Sequence, residues 1–446
     1  MAVSVPRRVL VAGCSYGGMA FVVNLLDMCA GKPARGNYEQ TPPIPEALKG
    51  VPVDVHIVDE RDGYYHLIGS PLAFACNESA AKFWHKFTEI PAIQHPGVRF
   101  SQASVQKVDT DRMVATIKDK ITGQVSDHSY DYFLAATGLR RVWPVVPQSI
   151  SQKGYRQETS DHIHSVRNAS EGVVVIGGGA VGIEMAAELK VMEPQLKVTL
   201  VQSRDKLLAA EPLPDDTKDK ALDLLREAGV EVILGKGRVA SNSTTETADG
   251  KRVQKLVLQD GTSLTASHVI NAVSNQVPTS DYLPKSSLDE DGLVKITPLM
   301  RFLNGGKNDE RHLAIGDIVK WSGIKRCGGA MAMGYHASVA MFEQMLYERD
   351  GVERKLAEWP QTPPMIALAV GKSAVVYDPT EGTRFGEDQM EIFFAKDLGF
   401  KGCWDHLKLS EPWNKDDLKE VRNDSPITPC EIPNIRMATK ELSLEA

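Results

Sequence analysis

No stretch of this 446-residue chain stays apolar for the roughly 18 residues that a membrane-spanning helix needs, since Asn24 and Asp27 break the best early candidate. Cysteine is scarce and scattered. The six residues stand at 14, 29, 76, 327, 403 and 430, with no C-x-x-C and no zinc-like spacing. Neither a disulfide framework nor a metal site is expected in a chain with this much apolar sequence. Excess positive charge is missing too: a net charge of −7 offers no basic field to nucleic acid or to an anionic lipid surface. Met1 is not followed by the glycine that myristoylation requires, and the terminal Leu-Glu-Ala is no receptor-read address, so a cytoplasmic protein is expected. There is no low-complexity tract.

What remains is an ordinary globular composition, 42% hydrophobic and 24% charged, with length for about two or three domains. Two segments stand out. The first runs Val9-Leu-Val-Ala-Gly13-Cys-Ser15-Tyr-Gly17-Gly18, and the second Val173-Val-Val-Ile-Gly177-Gly-Gly179-Ala-Val-Gly182. In each, a β-branched strand breaks into glycines and continues as a helical pattern. Glycines there allow a tight turn and bring a pyrophosphate close to a helix N-terminus. Two such fingerprints in one chain point to two dinucleotides held together.

After the first fingerprint, residues 31–50 are rich in Pro and Gly and read as an inserted surface loop. Residues 53–58 form the next strand, which ends at Asp59. An acid at that strand end binds ribose hydroxyls in the simple fingerprint, and the insertion accounts for its distance here; Glu60 is the competing acid. Alternating segments at 98–100, 105–108 and 114–117 suggest a meander leading to a buried strand that ends at Thr137-Gly138. Beyond the second fingerprint come a strand ending at Gln202, a helix near 217–228, and antiparallel segments at 255–258 and 263–272. The pattern then returns to the first unit at Ile315-Gly316-Asp317 and a helix over 325–348. Residues 365–370 and 389–394 read as strands, and a polar tail follows Pro412. The expected segments are 1–165, 166–290, 291–355 and 356–446.

With these motifs in order, the chain resembles the two-dinucleotide-binding-domain flavoproteins, and within them the ferroptosis-suppressor branch of the apoptosis-inducing-factor family. The resemblance implies an α/β fold in which a Rossmann-like FAD domain is interrupted by an NAD(P)H domain, followed by a smaller C-terminal α+β region. By it, Gly13, Ser15, Gly17 and Gly18 hold the FAD pyrophosphate and Asp59 the adenosine ribose. Thr137 and Gly138 pass the cofactor, and Gly316 and Asp317 lie at its ribityl or pyrophosphate part. Gly177, Gly179, Gly182 and Glu184 belong to the nicotinamide site, and a helix starting near Ala330 aims its positive end at the flavin. Ser15 departs from the family glycine, and Ala272-Val273-Ser274 replaces a second Ala-Thr-Gly. A homodimer is compatible with the family.

Several residues have two readings. Arg204, two beyond Gln202, is either a partner for the 2′-phosphate of NADPH or a solvated loop charge. Cys327 is a redox or substrate-adjacent thiol, or a small buried hydrophobe, and Cys76 has less support. His66, beside Tyr65, is catalytic or a satisfied structural histidine. Phe394, Phe400 and Trp404 wall the flavin or only fill a core. The family's disulfide reductases carry a redox pair just after the first fingerprint, and none stands here. The expected activity is therefore that of a FAD-dependent NAD(P)H oxidoreductase passing electrons to a small acceptor such as a quinone. The alternatives are a flavin oxidase or dehydrogenase tailoring a small molecule, and a redox-sensing flavoprotein that binds partners.

Overall fold

The computed structural model describes residues 5–36, 50–247, 250, 252–273 and 277–413. Most of the expected insertion (37–49), Ser274, Cys430 and nearly all of the tail beyond Pro412 lie outside the described residues.

The strand Arg7–Ala12 sits inside a seven-stranded sheet, because Val9, Leu10, Val11 and Ala12 are apolar on both faces and buried on both. The order across this sheet is His312–Ala314, Tyr132–Ala135, Arg7–Ala12, Val53–Asp59, Val98–Asp109, Val114–Asp119, Val125–Ser129. The first five strands run parallel and the last two form an antiparallel extension. The edge strand His312–Ala314 returns from far along the chain, so a second unit interrupts the first. That second unit is a four-stranded parallel sheet, ordered Glu231–Leu234, Val198–Gln202, Val173–Ile176, His268–Asn271, with an antiparallel three-stranded sheet beside it. Two short strands, Leu139–Arg140 and Val277–Pro278, pair where the chain crosses out and back. A third unit carries the antiparallel strands Ile366–Val370, Ser373–Asp378 and Gly382–Gly386 and two helices, Glu387–Phe393 and Phe400–His406.

Both fingerprints fold as strand, turn and helix for a steric reason. Gly13 and Gly177 take φ of +88° and +114°, which side chains resist. A Cβ on Gly18 would lie 2.0 Å from the Gly13 carbonyl oxygen, and one on Gly182 would lie 1.9 Å from that of Gly177. These two positions let each helix start against its own strand.

Some local expectations change. The segments at 98–100 and 105–108 are one strand, Val98–Asp109, whose first half pairs in parallel and whose second half pairs antiparallel across a bulge between Val105 and Lys107. Residues 263–272 are split between two sheets, Ser263–Ala266 in the antiparallel one and His268–Asn271 in the parallel one. Residues 389–394 are not a strand: Glu387–Phe393 is helical, with Glu387 and Asp388 in its first turn. The apolar run misled because Ile392 is exposed while Phe394 turns inward, a helical rather than an alternating distribution. The long helix is Cys327–Asp350, starting three residues before Ala330.

Candidate functional site

The three units enclose one cavity of about 1670 Å³. That exceeds the ~300–1,000 Å³ of a typical single-ligand pocket and suits two extended molecules. Three helices begin on its wall: Tyr16–Cys29, Ala180–Met192 and Cys327–Asp350. None has a side-chain cap at its N-terminus or an acidic residue in its first turn. Two helices that start elsewhere differ. Ser151 Oγ accepts from Gly154 N at the start of Gln152–Arg167, and Asp215 and Asp216 occupy the first turn of Asp215–Glu227. Free N–H groups and positive helix poles are thus left facing the cavity, an arrangement suited to phosphate oxygens.

The structure brings most of the predicted positions onto this wall. Ser15, Gly17, Asp59, Thr137, Gly138, Gly316, Asp317, Gly177, Gly179, Glu184, Arg204 and Cys327 all line it. Gly13, Gly18 and Gly182 do not; they act behind the wall, by allowing the turns already described. Gly179 and Gly138 stand differently, since an added Cβ at either would meet nothing within 4 Å. That open space is a cradle for a ligand.

Asp59 accepts hydrogen bonds from the backbone N–H groups of Cys14 (2.8 Å) and Arg61 (2.9 Å). Burial pushes its carboxyl above the usual range, while the Arg61 charge and the two N–H donors pull it back. Its remaining lone pairs can take ribose hydroxyls. Glu60 points away, to Lys120 at 2.8 Å, and is not on the wall. Arg61 lines the cavity with a buried Nε that has no hydrogen-bond partner among the described residues, a donor awaiting an acceptor. Asp317 pairs with Arg141 at 3.2 Å, and both line the cavity. The Thr137 hydroxyl is taken by the crossing segment instead, donating to the Thr279 carbonyl at 2.9 Å and meeting Tyr282 Oη at 3.0 Å. These features fit FAD along the first helix.

On the other half, Glu184 lies on the wall with its pKa pushed up to about 8, mainly by burial, and the Ala369 N–H reaches it at 3.4 Å. The Gln202 side chain is used locally, accepting from Gly178 N at 3.2 Å. Arg204 lines the cavity, exposed and without an ion pair among the described residues, and so does Arg238. Sequence reasoning missed Arg238, Arg61 and Arg141, because no local pattern marks an arginine that only a loop brings to the wall.

His66 is set behind the wall, and its role as a catalytic candidate is not supported by its position. It is fully buried, and Nε2 lies 3.0 Å from the Leu398 carbonyl, which can only accept. Nδ1 is then left to accept from Tyr16 Oη at 3.1 Å. Burial drives its pKa down to about 4, so the ring is neutral and structural. Of the aromatic candidates, Phe394 reaches the cavity, while Phe400 and Trp404 pack on His85. Cys76 is off the wall. No metal-binding cluster occurs among the described residues, and no helix there is long and apolar enough to cross a membrane.

Comparison with known proteins agrees with this architecture. Residues 7–334 match the pyridine nucleotide-disulphide oxidoreductase family. The chain is 47% identical over 409 residues to oxidoreductase OXR1 of Ajellomyces capsulatus, covering 91% of this chain and 88% of that one. It is 24% identical to human ferroptosis suppressor protein 1 over 82% of this chain and 92% of the relative. In fold it resembles NDH2 of Plasmodium falciparum, solved in complex with NADH, with a TM-score of 0.63 at 11% identity over 91% of this chain and 97% of that one. The chain belongs to the pyridine nucleotide-disulphide oxidoreductase family and is a flavin-dependent oxidoreductase that takes FAD and NAD(P)H.

Proposed function

We propose that the enzyme transfers electrons from NAD(P)H to a small planar acceptor, with a quinone as the best-fitting class. Held by Asp59 and the start of the helix Tyr16–Cys29, FAD would supply the two-electron redox chemistry that links the nicotinamide to the acceptor. The protein's own part is to position both ligands, exclude water and hold a proton. The observation that carries the acceptor class is the apolar stretch of wall from the third unit. Met365, Ile366, Phe393 and Phe394 line the same cavity as the uncapped start of the helix Cys327–Asp350, and a flat apolar molecule suits them. The first fingerprint, moreover, has no cysteine pair to relay electrons onward.

Reducing a quinone to a hydroquinone consumes two protons, and Glu184 holds one at the wall. A carboxyl with a pKa of about 8 is protonated below that pH and loses its proton above it. Turnover with a quinone should therefore fall as pH rises through about 8. Glu184→Gln, which keeps the neutral shape but cannot donate a proton, should flatten that limb and slow turnover about a hundredfold, the low end for a lost general acid. The test is anaerobic reduction of the holoenzyme by NAD(P)H, followed by a panel of quinones across pH. A reduced enzyme that no quinone reoxidises overturns the acceptor class, and an unchanged pH profile in the variant removes Glu184 from the proton path.

For the nucleotide, Gln202 withholds the acidic discriminator, and Arg204 and Arg238 are both free to meet a 2′-phosphate. NADPH should be used at least as well as NADH. Arg204→Ala and Arg238→Ala should each lower kcat/KM for NADPH by about five- to thirtyfold while sparing NADH. The preference should shrink at high salt, since both groups are solvent-exposed. Equal losses with both nucleotides would reduce the two arginines to loop charges.

A further inference from the structure

A line of oxidisable side chains leads from the cavity to the surface. Tyr16 opens the helix Tyr16–Cys29, buried and on the cavity wall. A Cβ on Gly17 would lie 3.1 Å from the Ala330 carbonyl oxygen, so this first turn abuts that of the helix Cys327–Asp350, on the stretch of wall that suits FAD. Behind it, the Tyr64 ring meets the Tyr16 ring edge-on with centroids 5.8 Å apart, and the Trp404 ring follows Tyr64 at 6.1 Å. Tyr64 is buried, whereas Trp404 is half-buried and its indole N–H donates to exposed Ser410 Oγ at 2.7 Å. Steps this short between electron-rich rings lie within reach of electron transfer through protein.

The Tyr16 hydroxyl is placed to lose an electron and a proton together. It accepts from the Ile68 N–H at 3.1 Å, which leaves its own proton for His66 Nδ1, also at 3.1 Å. His66 Nε2 is committed to the Leu398 carbonyl at 3.0 Å, and burial keeps the ring neutral, so Nδ1 offers a lone pair. A phenol that has lost an electron is a far stronger acid than imidazolium, so the proton passes to Nδ1 even though burial disfavours the charged ring. Tyr65, also on the wall, ends on a hydroxyl instead: it meets Ser70 Oγ at 2.7 Å, and that hydroxyl donates to the Leu67 carbonyl at 2.8 Å.

We propose that Tyr16 is a proton-coupled one-electron donor to light-excited flavin, and that the electron it gives up is replaced from Trp404 through Tyr64. In the first step one electron passes from Tyr16 to the flavin; the Tyr16 O–H bond breaks and an N–H bond forms at His66 Nδ1. In the second, an electron from Trp404 crosses the Tyr64 ring to Tyr16, which takes its proton back from His66. The Trp404 indole N–H bond then breaks, and its proton leaves to water. In net, Trp404 has lost one electron and one proton, and the flavin has gained the electron. A small reductant at the surface, such as ascorbate, supplies the electron and proton that restore Trp404. The path draws oxidising equivalents out of the cavity to a site that solvent can reach.

The oxidised full-length holoenzyme, without nucleotide or acceptor, is excited anaerobically with a blue-light pulse and followed by transient absorption. A parallel sample is illuminated, frozen and examined by electron paramagnetic resonance. A tryptophan radical is expected, formed together with one-electron reduction of the flavin, and it should decay several-fold faster when ascorbate is added. In Trp404→Phe the radical should be a tyrosyl one, shorter-lived and indifferent to ascorbate. Tyr16→Phe that retains flavin should yield no tryptophan radical and a several-fold brighter flavin fluorescence. A wild type that gives no tryptophan radical, a tryptophan radical that persists in Trp404→Phe, or an undiminished yield in Tyr16→Phe overturns the proposal. Trp404 is off the cavity wall, so its variant decides the case even where Tyr16→Phe loses flavin.

Discussion

Gly179→Val raises the KM for the nicotinamide dinucleotide at least tenfold, and leaves bound FAD and the melting temperature unchanged. Gly179 sits at the N-cap of the helix Ala180–Met192 with φ −78° and ψ 175°, extended backbone that any residue adopts. An added Cβ meets no protein atom within 4 Å, and the residue lines the cavity. The empty space there is reserved for a ligand, so a side chain costs the fold nothing and the ligand a great deal. About 1.4 kcal/mol of lost binding gives the tenfold, and a branched side chain against a pyrophosphate should exceed that. Steady-state kinetics, the flavin absorbance ratio and a melting curve check it together. Gly182→Ala is the contrasting case: its Cβ would lie 1.9 Å from the Gly177 oxygen, so it should lower the melting temperature and yield little folded protein. Unchanged nucleotide kinetics in Gly179→Val would place the reductant elsewhere.

Asp59→Ala strips FAD from the enzyme. The carboxylate is the one acid at the end of the strand Val53–Asp59 that faces the cavity, and it ties down the Cys14 and Arg61 N–H groups. A hydrogen bond to an ionised group contributes about 1.5–3 kcal/mol, so the Kd for FAD should rise by roughly ten- to 150-fold. Asp59→Asn should fall between, since its amide oxygen still accepts. Glu60→Ala should retain flavin, because Glu60 pairs with Lys120 and is off the cavity wall. The measurement is flavin retained through gel filtration, with the Kd taken from fluorescence of the reconstituted apoprotein. If Glu60→Ala loses flavin and Asp59→Ala keeps it, the ribose acid has been misassigned.

The two fingerprints were legible because their requirements are local. A positive φ at Gly13 and a carbonyl 2.0 Å from a Cβ at Gly18 are settled within six residues, and only glycine satisfies them. The long helix was legible for a similar reason, as a continuous helical run: it spans Cys327–Asp350 where 325–348 was expected. Where a pattern served two structures, the reading failed. The strand Val98–Asp109 looked like two because its middle, Ser101-Gln-Ala-Ser104, carries little apolar signal, and Glu387–Phe393 looked like a strand because its apolar residues are adjacent.

By itself, the sequence determined that two nucleotide-binding units are nested, that an acid ends the second strand, and that no cysteine pair follows the first fingerprint. Those are statements about neighbours along the chain. Tertiary structure alone decided that Asp59 rather than Glu60 faces inward, that His66 is spent on Tyr16 and Leu398, and that Arg238 joins Arg204 on the wall. It alone brought Phe394 to the cavity. Each of these depends on which way a side chain leaves its element and on what a distant segment packs against it. Neither quantity has a period or a spacing that a linear pattern can carry.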